Sequence, residues 1–334
     1  MVVVQSYSIA IIMCFVTMLC WGSWGNTQKL ASKEWRFQLF YWDYSIGVVL
    51  LSLILAFTMG SFGNNGRSFV GDLRQAGLSN LWSAFLGGVI FNLSNILLVL
   101  AIDIAGLAVA FPVGVGLALV LGVITNYIGA PVGDPAYLFL GVAFVVLAII
   151  VDAVAYRKLS GSSQKKVGRG LIIAIVAGVL MGFFYRFVAA SMSGDFVHLE
   201  SGKLSPYTAV VIFSIGVFIS NFLWNSIAMR KPLDGNPVKY SDYFKHGSLR
   251  LHSIGILGGI IWNIGMAFSI IASGPAGFAI SYGLGQGATM IAAFWGVFIW
   301  KEFKNAPAGT NKLLTLMFLS FIFGLALIIV ARVV

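Results

Sequence analysis

At 334 residues, 59% hydrophobic and only 10% charged, with a mean hydropathy of +0.94, the chain lies outside the composition of soluble globular domains and reads as an all-α integral membrane protein. Its apolar runs are about 20 residues long and do not alternate in polarity, which excludes the strands of a membrane β-barrel. The net charge of +10 arises from basic residues in the loops between those runs, so it implies anionic lipid as a partner and no nucleic acid.

Ten spans are predicted, over 7–28, 37–59, 81–101, 105–127, 136–156, 170–192, 206–229, 252–272, 276–299 and 312–331. The first follows an uncharged N-terminus, lacks a small-residue cleavage site and ends in a polar cluster, so it is expected to stay in the mature protein. That ending, CWGSWGNTQKL (20–30), places Thr17, Trp21, Trp24, Gly25 and Gln28 on one face of a continuous helix. Trp21, Trp24 and Gln28 are therefore candidate substrate contacts, an aromatic platform beside an amide, with an interfacial tryptophan belt as the alternative. Cys14 and Cys20 sit in the same span and imply no disulfide framework.

The second span opens with YWDYSIG (41–47). Lys29 and Asp43 stand seven residues either side of Arg36, the centre of the intervening loop, and are expected at equal depth as an ion pair. The pair is either structural or a proton-responsive coupling site, and burial and the lysine push the carboxyl in opposite directions. Asn92 and Asn95 in the third span are amides in hydrocarbon, which either tie helices together or face a wet cavity. Arg186, near the outer end of the sixth span, is a gating candidate that could pair with Asp195 or meet substrate. Asn221, Trp224 and Asn225 in the seventh span read as packing groups.

In the eighth span Trp262 and Asn263 repeat the pattern of the third, and in the ninth Tyr282, Gln286 and Thr289 share one face. Tyr282 and Gln286 join the candidate substrate set. His198, His246 and His252 are loop or edge residues without metal-ligand spacing, so no metal and no cofactor is expected. The clustered acids, histidines and nucleophiles of an enzyme site are lacking as well, and no catalytic residue is assigned.

LGGVIFNLSNILLVLAIDIAGLAVAFPVGVGLAL (86–119) and LGGIIWNIGMAFSIIASGPAGFAISYGLGQGATM (257–290) align at a constant offset of 171. SIGV recurs at 45–48 and 214–217. The chain thus divides into residues 1–156 and 170–334, two five-helix repeats joined by the connector 157–169. Five is odd, so the repeats are inverted, the plan of secondary transporters. Sixteen of the 21 Lys and Arg residues fall in loops after odd-numbered spans. That asymmetry predicts those loops in the cytoplasm of a cell (inner or plasma) membrane and both termini outside.

Ten spans in a five-plus-five repeat, GSW near the end of the first, YWDYSIG opening the second and WGVFIWKEFK (295–304) closing the ninth resemble the drug/metabolite transporter superfamily. WGSW, YWDYSIG, the GG…N…AGL series and TNY (125–127) look most like the ureide permeases. GGIIWN and FWGVFIWKE are equally similar to the glucose/ribose porters and more distantly to the rhamnose–proton symporters. The resemblance implies a transporter fold over nearly the whole chain and is not substrate-specific. Plant ureide permeases carry a long central loop with a nucleotide-binding-like sequence, whereas the connector here is short and has no GxxxxGK[ST].

The expected function is a secondary active transporter that imports a small neutral polar metabolite by alternating access, coupled to H+, with Na+ as the other option. Several amides beside tryptophans favour a monosaccharide. A ureide or nucleobase permease, or a facilitative exporter of small metabolites, is the alternative. A channel would show repeated polar rings along one pore in place of one central set.

Overall fold

A computed structural model describes residues 1–31, 34–160, 167–232 and 236–334. Lys33 and most of the connector, residues 161–166 with Lys165 and Lys166, lie outside the described residues. Within them, ten helices are long and apolar enough to cross a membrane, at Tyr7–Ala31, Phe37–Phe57, Leu78–Ile102, Val109–Gly129, Pro135–Leu159, Gly168–Ser191, Pro206–Arg230, Leu249–Ala276, Phe278–Ile299 and Thr310–Val330. They match the predicted spans one for one.

Eight of the ten spans are single helices, namely α3 (Phe37–Phe57), α5 (Leu78–Ala105), α6 (Leu107–Gly129), α7 (Pro135–Ser160), α8 (Val167–Ser191), α9 (Pro206–Arg230), α11 (Leu249–Ala276) and α14 (Thr310–Val330). The other two are interrupted. The first span is α1 (Tyr7–Ser23) followed, after a turn at Trp24, by α2 (Gly25–Ala31). The ninth is α12 (Phe278–Gly285), a turn at Gln286–Gly287, α13 (Ala288–Phe294) and a widened π turn at Trp295–Ile299. Both spans were expected to be continuous, and no proline marks either break. Two short helices lie outside the spans, α4 (Phe69–Gln75) and α10 (Tyr240–His246).

Equivalent positions of the two halves make equivalent contacts. Helix α5 packs on α9 and α8, while α11 packs on α3 and α1. At the first of these crossings a Cβ on Gly88 would strike the Phe213 carbonyl and one on Gly216 the Phe85 carbonyl. Their counterparts Gly259 and Gly47 meet the Tyr44 and Ile256 carbonyls. The glycines therefore set backbone-to-backbone approach, the close packing that small residues permit where no water drives helices together. Asn92 Nδ2 donates to the Val217 carbonyl at 3.1 Å, and Asn263 Nδ2 donates to the Val48 carbonyl at 2.8 Å.

The turns that follow α5 and α11 are also equivalent. Gly106 and Gly277 each adopt a left-handed backbone, φ 87° and 85°, and each alone separates two spans. A side chain there would be strained, so glycine is required at both. On the face opposite the basic loops, Arg67 Nε bonds Asp72 Oδ1 at 2.9 Å and its terminal nitrogens donate to the carbonyls of Leu199, Glu200 and Lys203. Asp72 Oδ2 in turn accepts from the Ser205 backbone at 2.8 Å, which clasps the loops of the two halves together on this face.

Candidate functional site

A cavity of about 280 Å³ lies between the two interrupted spans, and both interruptions face it: Trp24 and Gly25 from one, Gln286 and Ala288 from the other. At both places the helical bonding tightens locally to i→i−3 turns, and paired irregularities of membrane helices at one cavity are a pointer to a binding site. The remaining wall comes from α5, α6, α8 and α11. It starts near the middle of α5 and α11, at Phe91 and Trp262, and runs towards Leu98, Phe111 and Ala292 on the side of the basic loops.

Aromatic rings close the other end. Phe91 lies 4.5 Å from Trp262, 5.1 Å from Phe184 and 5.6 Å from Phe213, between ring centroids. Trp21 stacks on Trp262 at 5.9 Å with planes 15° apart, and its Nε1 donates to the Trp262 carbonyl at 3.1 Å. Trp21 therefore offers the cavity a ring face and no free donor.

None of the lining residues is ionisable. Several of the polar ones are already engaged: Ser94 Oγ donates to the Ala177 carbonyl, and Thr289 Oγ1 to the carbonyl of Gln286. Asn95 Nδ2 donates to the Tyr41 hydroxyl at 3.0 Å, leaving its carbonyl oxygen. Among the described residues the Gln286 side-chain amide has no hydrogen-bond partner, and it lies at the cavity wall opposite apolar Phe111, Val115 and Ala118. What remains for a ligand, among the described side chains, includes the whole Gln286 amide, the Asn95 amide oxygen, the Trp24 indole N–H and flat ring faces.

Of the nine candidate substrate residues, the structure brings Trp21, Trp24, Asn95, Trp262 and Gln286 to the cavity. Gln28 is not among the residues that line it. Asn92 and Asn263 face neighbouring helices, as described above, and are ties between the halves. Tyr282 is fully buried outside the cavity, where its hydroxyl donates to the Ala118 carbonyl at 3.1 Å and steadies the wall. The aromatic end formed by Phe91 and Phe184 was not anticipated, since a lone phenylalanine in a membrane helix carries no polar signal. Asn221 and Asn225 donate to Ser45 and to the Gln38 carbonyl, in keeping with packing.

The expected Lys29–Asp43 pair does not form. Lys29 Nζ bonds Glu302 Oε1 at 3.0 Å and lies 4.1 Å above the Trp300 ring, because α2 turns it towards the ninth span. Asp43, completely buried, accepts from Trp35 Nε1 at 2.9 Å, from His252 Nδ1 at 2.8 Å and from the Tyr243 hydroxyl. His252, expected as an edge residue, is thus a direct partner of Asp43. Arg186 does not reach Asp195. Its guanidinium lies against Gly129 at the end of α6, while Asp195 binds His198 at 2.9 Å, which holds that carboxyl below its ordinary range. Among the described residues no cluster of His, Cys, Asp and Glu could hold a metal ion.

The comparisons with known proteins agree in one direction. The model of the family described as "Ureide permease" matches residues 40–169 and 157–331. Ureide permease 1 of Arabidopsis thaliana is 22% identical over 385 residues, covering 98% of both chains. Ureide permease 2 of the same plant is 23% identical over 393 residues, again with 98% of each covered. A solved structure, described as the crystal structure of a protein, superposes with a TM-score of 0.61 at 16% identity over 98% of this chain and 99% of its own, a likeness of fold.

Proposed function

Because the chain belongs to the ureide permease family, and is on that ground a transporter of small metabolites and not an enzyme, we propose that it carries a small, neutral, flat ureide or nucleobase across a cell membrane by alternating access. The observation behind this reading is the uncharged aromatic cavity between two interrupted spans, with the Gln286 amide unengaged at its wall. A ureido or imide unit presents an N–H beside a C=O, and a primary amide answers both with a pair of hydrogen bonds. The ring faces of Trp21, Phe91 and Trp262 suit a flat partner. A charged solute would find no counter-ion among the lining residues.

The preference for a monosaccharide loses its basis. It rested on several amides beside tryptophans, and Asn92 and Asn263 are occupied with helix carbonyls while Gln28 lies elsewhere. A ring bearing four or five hydroxyls needs more partners than Gln286, the Asn95 oxygen and the Trp24 indole N–H supply.

In this reading the basic loops are cytoplasmic and both termini lie outside. The inverted repeats 1–156 and 170–334, joined by the connector 157–169, rock about the cavity, which here extends towards the cytoplasm, and a proton gradient drives import. Purified protein in vesicles preloaded with unlabelled uracil tests the assignment. Transient accumulation of labelled uracil by counterflow, competed by allantoin and not by glucose, is the expected result. Preference for glucose, or a leak without counterflow, would overturn it.

A further inference from the structure

Asp43 and its partners form a second polar cluster, separate from the cavity. The three donors come from three elements: Trp35 from the loop before α3, Tyr243 from α10 and His252 from the first turn of α11. Every one of them points a hydrogen at the carboxylate. That arrangement surrounds the carboxylate with N–H and O–H donors and offers a cation only the Asp43 and Tyr243 oxygens among these side chains, short of the oxygen shell a hard cation requires. It suits a proton instead.

His252 is the way in. Its side chain is 25% exposed against 0% for Asp43, so the imidazole spans from the basic-side rim to the buried acid. With Nδ1–H held by Asp43, Nε2 is the atom that takes and gives up a proton, and the carboxylate fixes that tautomer. The Tyr243 hydroxyl is held above its ordinary range by burial and by its bond to Asp43, so it stays a donor throughout. Among the described residues, Arg36 beside Trp35 donates to the Asn236 carbonyl at 2.7 Å. Glu34 and Arg250 pair at 3.4 Å on the rim, His246 lies 4.0 Å from Asp242 on α10, and Lys29 is drawn to Glu302.

Neighbours of Asp43 along α3 touch cavity residues. Asp43 sits between Tyr41, whose hydroxyl takes the Asn95 hydrogen bond, and Tyr44, whose ring lies 4.9 Å from that of the cavity residue Trp24. Its Cβ abuts Gly255 where α3 crosses α11.

We propose that His252 and Asp43 together bind the coupling proton, with Tyr243 and Trp35 as positioning donors. This rests on the transport reading above. One proton from the side opposite the basic loops adds at His252 Nε2 when the carrier opens to that side, turning the pair into imidazolium and carboxylate, and leaves from the same nitrogen to water at the basic side in the conformation seen here; no other bond is made or broken. Sequence reasoning placed coupling at Lys29 and Asp43, whereas the geometry assigns the mobile charge to histidine.

The test uses the full chain in vesicles with two readouts. Infrared difference spectra between about pH 5 and pH 8 report imidazole protonation without any substrate. In a background carrying His198→Gln and His246→Gln, which removes the two exposed imidazoles, the protein should show an imidazole band that His252→Gln abolishes and Asp43→Asn weakens or shifts. Uracil uptake under an imposed pH gradient is the second readout. Wild type should accumulate uracil above equilibrium; His252→Gln should lose accumulation and keep counterflow, and Tyr243→Phe should keep accumulation with an altered pH profile. An infrared band unchanged in His252→Gln overturns the proton site even if uracil is not a substrate. Accumulation surviving in His252→Gln, or driven by a sodium gradient, overturns the coupling role while the permease reading stands.

Discussion

Trp295 donates its indole hydrogen to the Ser23 hydroxyl at 2.9 Å, tying the π turn of the ninth span to the end of α1. Five residues on, Trp300 Nε1 donates to Asn26 Oδ1 at 2.7 Å, and Lys29 pairs with Glu302. The two interrupted spans are therefore latched to each other on the basic side, just beyond the cavity.

That latch is built from partly exposed groups, with side-chain accessibilities of 46% for Lys29 and 33% for Glu302. An exposed ion pair contributes about 0–1 kcal/mol, so Glu302→Gln should lower the melting temperature by no more than a few degrees. Its effect should appear in dynamics. Hydrogen exchange across residues 25–31 should quicken while uracil affinity stays unchanged; a drop in affinity would place Glu302 in the binding site.

The mirrored amides make a different prediction. Asn92→Ala and Asn263→Ala each remove a tie between helices and should each cost about 1 kcal/mol, in the range measured for such bonds in membranes. Because they act at separate crossings, the double variant should lose the sum. Chemical or thermal unfolding in detergent checks this, and the surviving protein should bind uracil with wild-type affinity.

Glycines of one sequence type should respond in opposite ways. Gly259→Ala drives a methyl into the Tyr44 carbonyl, an overpacking of about 1–3 kcal/mol or more, and should reduce folded yield sharply. At Gly25 nothing lies within 4 Å of the added carbon, so Gly25→Ala should fold normally. It lines the cavity, however, and should weaken the binding of bulkier bicyclic ureides more than that of uracil.

Gln286→Ala leaves the folding contacts intact and removes the one unengaged amide. Losing a two-hydrogen-bond contact should raise the KM for uracil about 10- to 100-fold, from about 0.5–1.5 kcal/mol per bond. Gln286→Asn should recover little, since the shortened amide no longer reaches. Uptake kinetics at a fixed pH settle the comparison, and an unchanged KM would remove Gln286 from recognition.

The ten spans were legible because a helix must be apolar for about 20 residues to cross hydrocarbon, and the repeat because its glycines and asparagines make the same contacts twice. The site was half legible. Periodicity finds a face, and of that face Trp21 and Trp24 line the cavity while Gln28 does not. It cannot say which neighbour the face meets, and so Asn92 and Asn263 looked like cavity residues. Equal distance from a loop gave Lys29 and Asp43 equal depth but not a shared azimuth. His252 could have been found by asking which basic-side residue might donate to a carboxylate as deep as Asp43.

The uncharged cavity has an electrical consequence. A pocket without ionisable groups, carrying a neutral solute, adds no charge of its own to a reorientation across the membrane field. On the proposed proton site, charge moved per uracil molecule above that of exchange alone should count protons.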